Sequence, residues 1–207
     1  MRQKVNFFII LFCFCTVFVD AQERVGADTL YEEGKYQEAV NICLEELKET
    51  PKNINAYCYL VWSLLKLKNY QDAYKYSLDG MDIARYDRRM IMAAGEALYY
   101  LGRNREALKY FEEYVVYINV PVRKDDVNYF MGEIYIRLGE FNNADIAFST
   151  AVHYNSKNSY WFARLGYARE MAKDYKWAMD AYDKALQLNP TLGEAKLGKE
   201  RVLKLIQ

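Results

Sequence analysis

One short pattern of residues recurs five times along the chain. Each copy begins with glycine or lysine and ends in alanine, and four copies carry an aromatic residue three positions before the alanine. The copies occupy residues 34–39, 68–73, 102–107, 139–144 and 173–178. The alanines, Ala39, Ala73, Ala107, Ala144 and Ala178, are 34, 34, 37 and 34 residues apart. A fixed period of this length indicates stacked copies of one structural unit.

The apolar residues around each alanine have helical spacing. Phe111, Phe148 and Tyr182 follow their alanines by four positions, which places both residues on one helical face. Each period therefore predicts two helices of roughly 13 residues with a buried seam between them. A small residue stands eight positions into each unit, and we expect it to face the alanine so that the two helices approach closely. These small residues are Ala27, Val61, Gly95, Gly132 and Gly166.

The turn between the two helices of a unit has its own signal. Gly34, Gly102 and Gly139 begin three of the copies, and glycine takes a positive φ at a helix end without strain. Lys68 and Lys173 stand at the same position in the other two copies. We expect those two turns to be strained or differently shaped.

A period of 34 residues built from paired helices resembles the tetratricopeptide repeat. Pro51 and Pro190 close the first and last units, where that family also places proline. The resemblance implies an all-α fold, a right-handed α-solenoid of five helical hairpins plus a C-terminal capping helix. The units are predicted at 20–53, 54–87, 88–121, 125–158 and 159–192, with three extra residues at 122–124. The fit is weakest at Gly26, in a core position, and at Arg169, which replaces an apolar residue.

The expected capping helix covers residues 192–206 and carries Ala195, Val202 and Ile206 on one side. Thr191 and Glu194 have the spacing of a capping box, with Thr191 as the N-cap. Asp125 is similarly expected to be the N-cap that opens the fourth unit.

The first 21 residues have the layout of a secretory signal peptide. Arg2 and Lys4 precede an apolar run from Phe7 to Val19, and Ala21 offers a small residue for cleavage. Cleavage would leave a mature domain, 22–207, that is exported to a periplasm or to the extracellular space. Membrane contact is then expected only through the signal segment before cleavage. An uncleaved anchor is the alternative, although the run is short for a bilayer.

The mature chain keeps two cysteines, Cys43 and Cys58. A disulfide is conceivable in an oxidising compartment. The repeat pattern instead places the two on different helical faces, which favours two separate thiols.

Composition narrows the function. The chain has 207 residues, with 28 Lys and Arg against 28 Asp and Glu, so no basic field predicts nucleic-acid binding. His153 is the only histidine, which excludes a histidine-rich metal site, and its position predicts an exposed side chain. No catalytic, phosphate-binding or metal-binding motif is present. We therefore predict no enzyme activity, no cofactor and no metal.

The resemblance also implies a binding surface, because the first helix of each repeat lines a concave groove in that family. On this chain the groove positions combine aromatic, apolar and charged residues. They are Asp28, Tyr31, Trp62, Leu65, Arg89, Met92, Glu96, Tyr99, Tyr129, Glu133, Ile136, Tyr160, Tyr167 and Glu170. Aromatic residues and arginine often anchor interfaces. The alternative is that these aromatics only cover neighbouring helices.

The expected partner is a protein or peptide with apolar anchors, held by an adaptor or assembly factor of the cell envelope. Some relatives clamp a terminal carboxylate with lysine and asparagine, but the matching positions here include Asp28, Cys58 and Trp62. A module that stacks glycans or another small ligand on the aromatic face is the alternative function.

Overall fold

The computed structural model describes residues 25–117 and 122–207 and resolves eleven helices within them. Their bounds are α1 Ala27–Glu32, α2 Tyr36–Glu49, α3 Ile54–Lys66, α4 Tyr70–Ile83, α5 Arg88–Tyr100, α6 Asn104–Tyr117, α7 Lys124–Leu138, α8 Phe141–Tyr154, α9 Ser159–Met171, α10 Tyr175–Leu188 and α11 Gly193–Leu205. The described residues contain no strand. The predicted signal segment 1–21, the start of the first unit and the end of the third lie outside the described residues.

The helices form five consecutive hairpins and a final single helix, and each helix packs on the next one in the chain. The odd-numbered helices α1, α3, α5 and α7 also pack on one another in order, as do α9 and α11. The even-numbered helices pack mainly on the odd-numbered helices beside them. The odd-numbered helices therefore line the inner face of an all-α solenoid, and the even-numbered helices form its outer face.

The seam inside each hairpin is built around the repeated alanines, and all five are completely buried. The spacing predicted that the glycine of the preceding helix faces the alanine. In the structure, the side chain nearest to the glycine is an aromatic ring instead. A Cβ on Gly95 would lie 2.6 Å from the ring of Phe111, and one on Gly132 would lie 2.7 Å from the ring of Phe148. Glycine is needed here because the aromatic residue four positions after the alanine lies directly on the glycine backbone.

The turns inside the hairpins have the predicted backbone. Gly34, Gly102 and Gly139 have φ of 76°, 74° and 75°. Lys68 and Lys173 have φ of 61° and 65°, so they adopt the same turn without the freedom of glycine. An L-residue in this left-handed region costs about 1–2 kcal/mol.

Two predicted helix caps are wrong. Asp125 lies inside the first turn of α7, and the N-cap is Arg123, whose φ is 54°. Thr191 also does not cap α11, whose N-cap is Leu192 with no side-chain bond. The amide and hydroxyl of Thr191 instead donate to Asn189 Oδ1, at 3.0 and 2.8 Å. Because its hydroxyl is directed to Asn189 in this local turn, the Thr191 side chain does not cap α11.

The final helix covers the end of the last hairpin. Ala195 and Val202 are completely buried, as expected, whereas Ile206 lies beyond the helix end and is exposed. Gly198 contacts the ring of Tyr182. The outer side of α11 is less polar than expected, since Leu197 and Leu205 are exposed there.

The structure also accounts for the two cysteines and for Arg169. Cys43 and Cys58 are buried free thiols, as favoured from the sequence, and burial raises the pKa of each to about 12. Arg169 is accommodated in place of an apolar residue because its Nε donates to Asp145 Oδ1 at 2.8 Å.

Candidate partner-binding groove

The predicted groove residues lie on the odd-numbered helices, which form the inner face. Because these helices are stacked in chain order, residues far apart in the sequence become neighbours on this face. The two ends of the face differ in chemistry, and the end built from α1, α3 and α5 contains two adjoining pockets.

The first of these, here called the aromatic pocket, has a volume of about 260 Å³. It is lined by Tyr31, Trp62, Leu65, Lys66, Lys68, Tyr70, Glu96, Tyr100 and Arg123. The centroids of the Tyr31 and Trp62 rings are 6.0 Å apart, and the rings of Tyr70 and Tyr100 stack at 4.7 Å. Partial burial raises the pKa of Tyr31 and of Tyr100 above the ordinary value. The pocket is a partly shielded recess in which aromatic rings and charged side chains share the lining.

Glu96 lies in the wall of the aromatic pocket, and its carboxylate is the one acidic group among the described residues of the lining. Burial raises the pKa of its carboxyl more than the nearby cations Arg123 and Lys66 lower it. The separation between Arg123 Nη2 and Glu96 Oε2 is 3.9 Å, while Arg123 Nε donates to Asp126 Oδ2 at 2.8 Å. Arg123 is thus held mainly by Asp126, and it leaves Glu96 only weakly paired.

The second recess, here called the basic pocket, adjoins the first and shares Trp62 and Arg123 with it. Its volume is about 220 Å³, and its lining consists of Trp62, Arg88, Arg89, Met92, Tyr114, Val122 and Arg123. Tyr114 donates to the carbonyl oxygen of Val122 at 2.7 Å. This bond fixes the extra segment 122–124 against α6 and so delivers Arg123 to the inner face.

Arg89 is the best anchored of these arginines. Its guanidinium donates to both oxygens of Asp87, the shortest bond being 2.7 Å, and to Asn55 Oδ1 at 2.9 Å. The hydrogen bonds from Arg89 hold the pKa of Asp87 below its usual value, although burial acts in the opposite direction. Arg89 therefore ties α5 to α3, and only part of its donor capacity faces the pocket.

The other end of the inner face is closed by internal bonds. Arg164 of α9 donates to both oxygens of Glu133 of α7, at 2.5 and 3.0 Å. The rings of Tyr129 and Trp161 stack at 5.3 Å beside this pair. Glu133 is only 9% exposed, so its charge is used between helices.

The same arrangement repeats one step further along. Arg201 of α11 donates to both oxygens of Glu170, at 2.7 and 2.8 Å, and the Tyr182 hydroxyl donates to Glu170 Oε2 at 2.5 Å. Glu170 is 8% exposed. These bonds dock the final helix on α9, and burial leaves the Glu170 carboxylate little surface for a partner.

Three of the predicted groove residues are therefore corrected to structural roles, because they offer almost no surface and line neither pocket. They are Tyr99, Glu133 and Glu170. The Arg137 guanidinium lies 3.9 Å from the centroid of the buried Tyr99 ring. Met92 is also almost completely buried, but it belongs to the lining of the basic pocket.

The remaining groove residues keep some exposed surface. Tyr31, Trp62, Leu65, Arg89 and Glu96 line the two pockets. Asp28 is exposed at the start of α1, where its Oδ1 accepts from the Thr29 amide.

Further along, Tyr129, Ile136, Tyr160 and Tyr167 lie partly open but outside both pockets. The structure thus gathers the predicted residues of α3 and α5 other than Tyr99, together with Tyr31, around the two pockets, whereas those of α7 and α9 lie outside them.

Sequence reasoning missed several residues of the two pockets. Tyr100 and Lys66 lie next to predicted positions on their helices, and one step of helical rotation separates them from the family's groove pattern. Arg123 comes from the three-residue interruption of the period, which was visible as the 37-residue spacing. The Glu–Arg pairs were also signalled, since both Glu133–Arg164 and Glu170–Arg201 are 31 residues apart.

Within the described ranges, no three His, Cys, Asp or Glu side chains are arranged to hold a metal ion. No helix in the same ranges is both long and apolar enough to span a bilayer.

Comparison with known proteins identifies the repeats. Two models described as tetratricopeptide repeat match residues 125–158 and 159–192, the bounds predicted for the fourth and fifth units. These two segments are thus similar to the tetratricopeptide repeat. Anaphase-promoting complex subunit 3 of Schizosaccharomyces pombe is 36% identical over 89 residues, which cover 43% of this chain and 13% of that protein. The chain thus matches only a small part of the length of this relative.

Solved structures share the whole architecture at low sequence identity. PilW, described as a widely conserved type IV pilus biogenesis factor, aligns with a TM-score of 0.73 and 19% identity over 87% of this chain and 82% of its own. YrrB, described as a TPR protein with an unusual peptide-binding site, gives 0.71 and 16% over 84% and 88%. MamA gives 0.70 and 18% over 79% and 88%. These similarities confirm the predicted all-α solenoid.

Proposed function

We propose that the protein is an exported scaffold that binds a segment of another protein on its inner face, as an adaptor or assembly factor of the cell envelope. The observation that carries the proposal is the aromatic pocket, where side chains of α1, α3, α4 and α5, together with Lys68 and Arg123, surround a partly shielded recess. Core packing alone does not require this recess, because the seams of the hairpins are already filled by the buried alanines and aromatic rings.

The chemistry of the pocket suits a protein ligand. Interface hot spots are enriched in Trp, Tyr and Arg that are clustered and shielded from water. Trp62 lies between the aromatic and the basic pockets, so one side chain contributes to both. An extended or helical segment with an apolar anchor fits such a surface.

The structural neighbours support this class of function without defining the partner. One is described by its peptide-binding site, and another, Cut9–Hcn1, as a hetero-tetramer of the anaphase-promoting complex. Export is supported by the basic start and apolar run of residues 1–21. The N-terminal residue of protein recovered from fractionated cells tests this part. Gln22 is expected, and recovery of the intact Met1 chain from the cytoplasm would refute export.

The binding site is tested with two tryptophan variants of the mature chain. Trp62→Ala should weaken binding of a partner captured from an envelope extract by about 2 kcal/mol, or roughly thirtyfold. Trp177→Ala is the matched control, because Trp177 is exposed on α10 of the outer face. Helical content and melting temperature measured for both variants confirm folding.

Equal affinity of the two variants would place binding elsewhere than in the aromatic pocket. Failure of the native chain to bind any protein, together with binding to a glycan array, would replace the scaffold by the glycan-binding alternative.

A further inference from the structure

The charges of the inner face are distributed unevenly, although the whole chain has equal numbers of acidic and basic residues. Five basic side chains and one carboxylate line the aromatic and basic pockets. The basic residues are Lys66, Lys68, Arg88, Arg89 and Arg123, and the carboxylate is that of Glu96.

Three of the five cations form no ion pair with the described residues. Arg89 is paired with Asp87, and Arg123 with Asp126. Lys66, Lys68 and Arg88 have no carboxylate oxygen within 4.0 Å among residues 25–117 and 122–207. All three are exposed. They lie on both sides of Trp62, since the two lysines line the aromatic pocket and Arg88 lines the basic pocket.

The opposite end of the inner face provides an internal comparison. There Arg164 and Arg201 are each matched by a buried glutamate of the neighbouring helix. At the position where α9 carries Arg164, the preceding unit carries Phe130, so Glu96 has no corresponding arginine. Arg123, brought in by the extra segment, contacts Glu96 only at 3.9 Å. The fold neutralises one end of the face and leaves the other end basic.

The geometry points to an acidic ligand: we infer that the two pockets bind a protein segment in which a large apolar or aromatic anchor is flanked by aspartate or glutamate. This rests on the proposed function and specifies its partner. The anchor enters between Tyr31, Trp62 and Leu65. Its acidic neighbours reach Arg88 on one side and Lys66 or Lys68 on the other, which gives charge complementarity across the interface.

The test is an unbiased selection, with phage-displayed random twelve-residue peptides as the probe and the mature chain as the target. Selected peptides should be enriched in Asp and Glu within a few positions of Trp, Phe, Tyr or Leu. The double variant Lys66→Glu/Arg88→Glu should lose this enrichment, and its affinity for the selected peptides should fall about tenfold or more at low salt.

The control is the double variant Arg105→Glu/Lys109→Glu, which changes the net charge equally on the outer helix α6. Both residues are exposed there. It should select the same acidic peptides as the native chain. An equal loss in both double variants would show a general attraction of anions, and it would overturn the site. Dextran sulfate serves as a polyanion that is not a peptide. If it competes for binding as well as the selected peptides do, the site would also be overturned.

The remaining outcomes separate this inference from the proposed function. Peptides without acidic bias, or with Lys and Arg enrichment, that bind the native chain but not Trp62→Ala would refute the acidic partner and leave the scaffold intact. A selection that enriches no peptide would also overturn the inference, while capture of a native partner through Trp62 would still uphold the scaffold.

Discussion

At the scale of single residues, the turns inside the hairpins show where the chain retains strain. Lys173 adopts a left-handed backbone that its counterparts in three other hairpins occupy with glycine. Its side chain is exposed and lies outside the aromatic and basic pockets. The strain at this position has no compensating contact that a substitution would remove.

Lys173→Gly should therefore raise the free energy of unfolding by about 1 kcal/mol. Lys109→Gly, in the middle of α6, is the matched control and should lower it by about 1 kcal/mol. Urea titration followed by circular dichroism measures both. A loss of stability in Lys173→Gly comparable to that in Lys109→Gly would show that the turn is not strained.

Glycine is required at position 95 by the packing around it and not by its backbone freedom. The Phe111 ring beside it cannot easily move, because it is completely buried and stacks on Phe130 at 5.4 Å. Gly95→Ala should therefore lower the free energy of unfolding by about 1–3 kcal/mol, despite the better helix propensity of alanine. Gly193→Ala, where nothing lies within 4 Å, should be neutral or slightly stabilising. An unchanged melting temperature in Gly95→Ala would contradict the packing.

Glu96 makes stability depend on pH. Because burial raises its folded pKa above the unfolded value of about 4.3, ionised Glu96 destabilises the fold as pH rises through that range. Glu96→Gln should raise the melting temperature at pH 7 and change it less at pH 4. Glu106→Gln is the control, because Arg103 lowers the pKa of that exposed carboxyl and no gain at pH 7 is expected. A gain that is larger at pH 4 would refute the burial effect.

The sequence predicted those residues whose role is local. The turn glycines and the buried alanines follow from spacing within one unit, and both were placed correctly. The roles of Tyr99, Glu133 and Glu170 depend on side chains of other helices, for example Arg137 or Arg164. A single-unit pattern contains no information on those neighbours, so these three residues were placed on the partner surface although they are buried among other helices.

At the scale of helices, the two Glu–Arg pairs join consecutive inner helices and fix how they stack. Arg201 holds α11 in place through Glu170, whereas Lys199 of the same helix pairs with the exposed Asp183. The Arg201–Glu170 pair closes the end of the solenoid, whereas the Lys199–Asp183 pair lies in solvent. The first pair should therefore contribute more to the free energy of unfolding.

Arg201→Met should cost about 2 kcal/mol of stability, because it leaves the buried Glu170 carboxylate without its charged donor. Lys199→Met should cost less than about 1 kcal/mol, since exposed pairs contribute little. Adding Glu170→Gln to Arg201→Met should recover part of the loss. Equal effects of the two single variants in thermal unfolding would show that the Glu170 pair is not a structural bond.

Helix ends were predicted less well than helix interiors. The expected capping box at Thr191 failed because Asn189 engages the Thr191 amide and hydroxyl first. The expected cap at Asp125 failed because α7 begins at Lys124, two residues earlier than a helix capped by Asp125 would begin. Both errors arise where short-range alternatives of similar energy compete, and periodicity does not discriminate between them.

At the scale of the whole molecule, the solenoid separates packing from recognition. Small residues and rings close each hairpin, charge pairs lock the C-terminal end, and the N-terminal part of the inner face retains an open recess with unpaired cations. This division was not visible in the sequence, where all five units contribute similar groove residues. It arises because Lys66, Lys68 and Arg88 form no ion pair within the described residues and because the inserted segment brings Arg123 to the same recess.

The central claim, that a partner lies in this recess, is tested most directly by site-specific photocrosslinking in cells of the source organism. A photoreactive phenylalanine analogue at position 65 should crosslink to a partner protein, because Leu65 lines the aromatic pocket. The same analogue at position 146, where Ile146 is exposed on α8 of the outer face, should give no such product. Crosslinking from position 146 but not from position 65 would place the partner on the outer face and contradict the account.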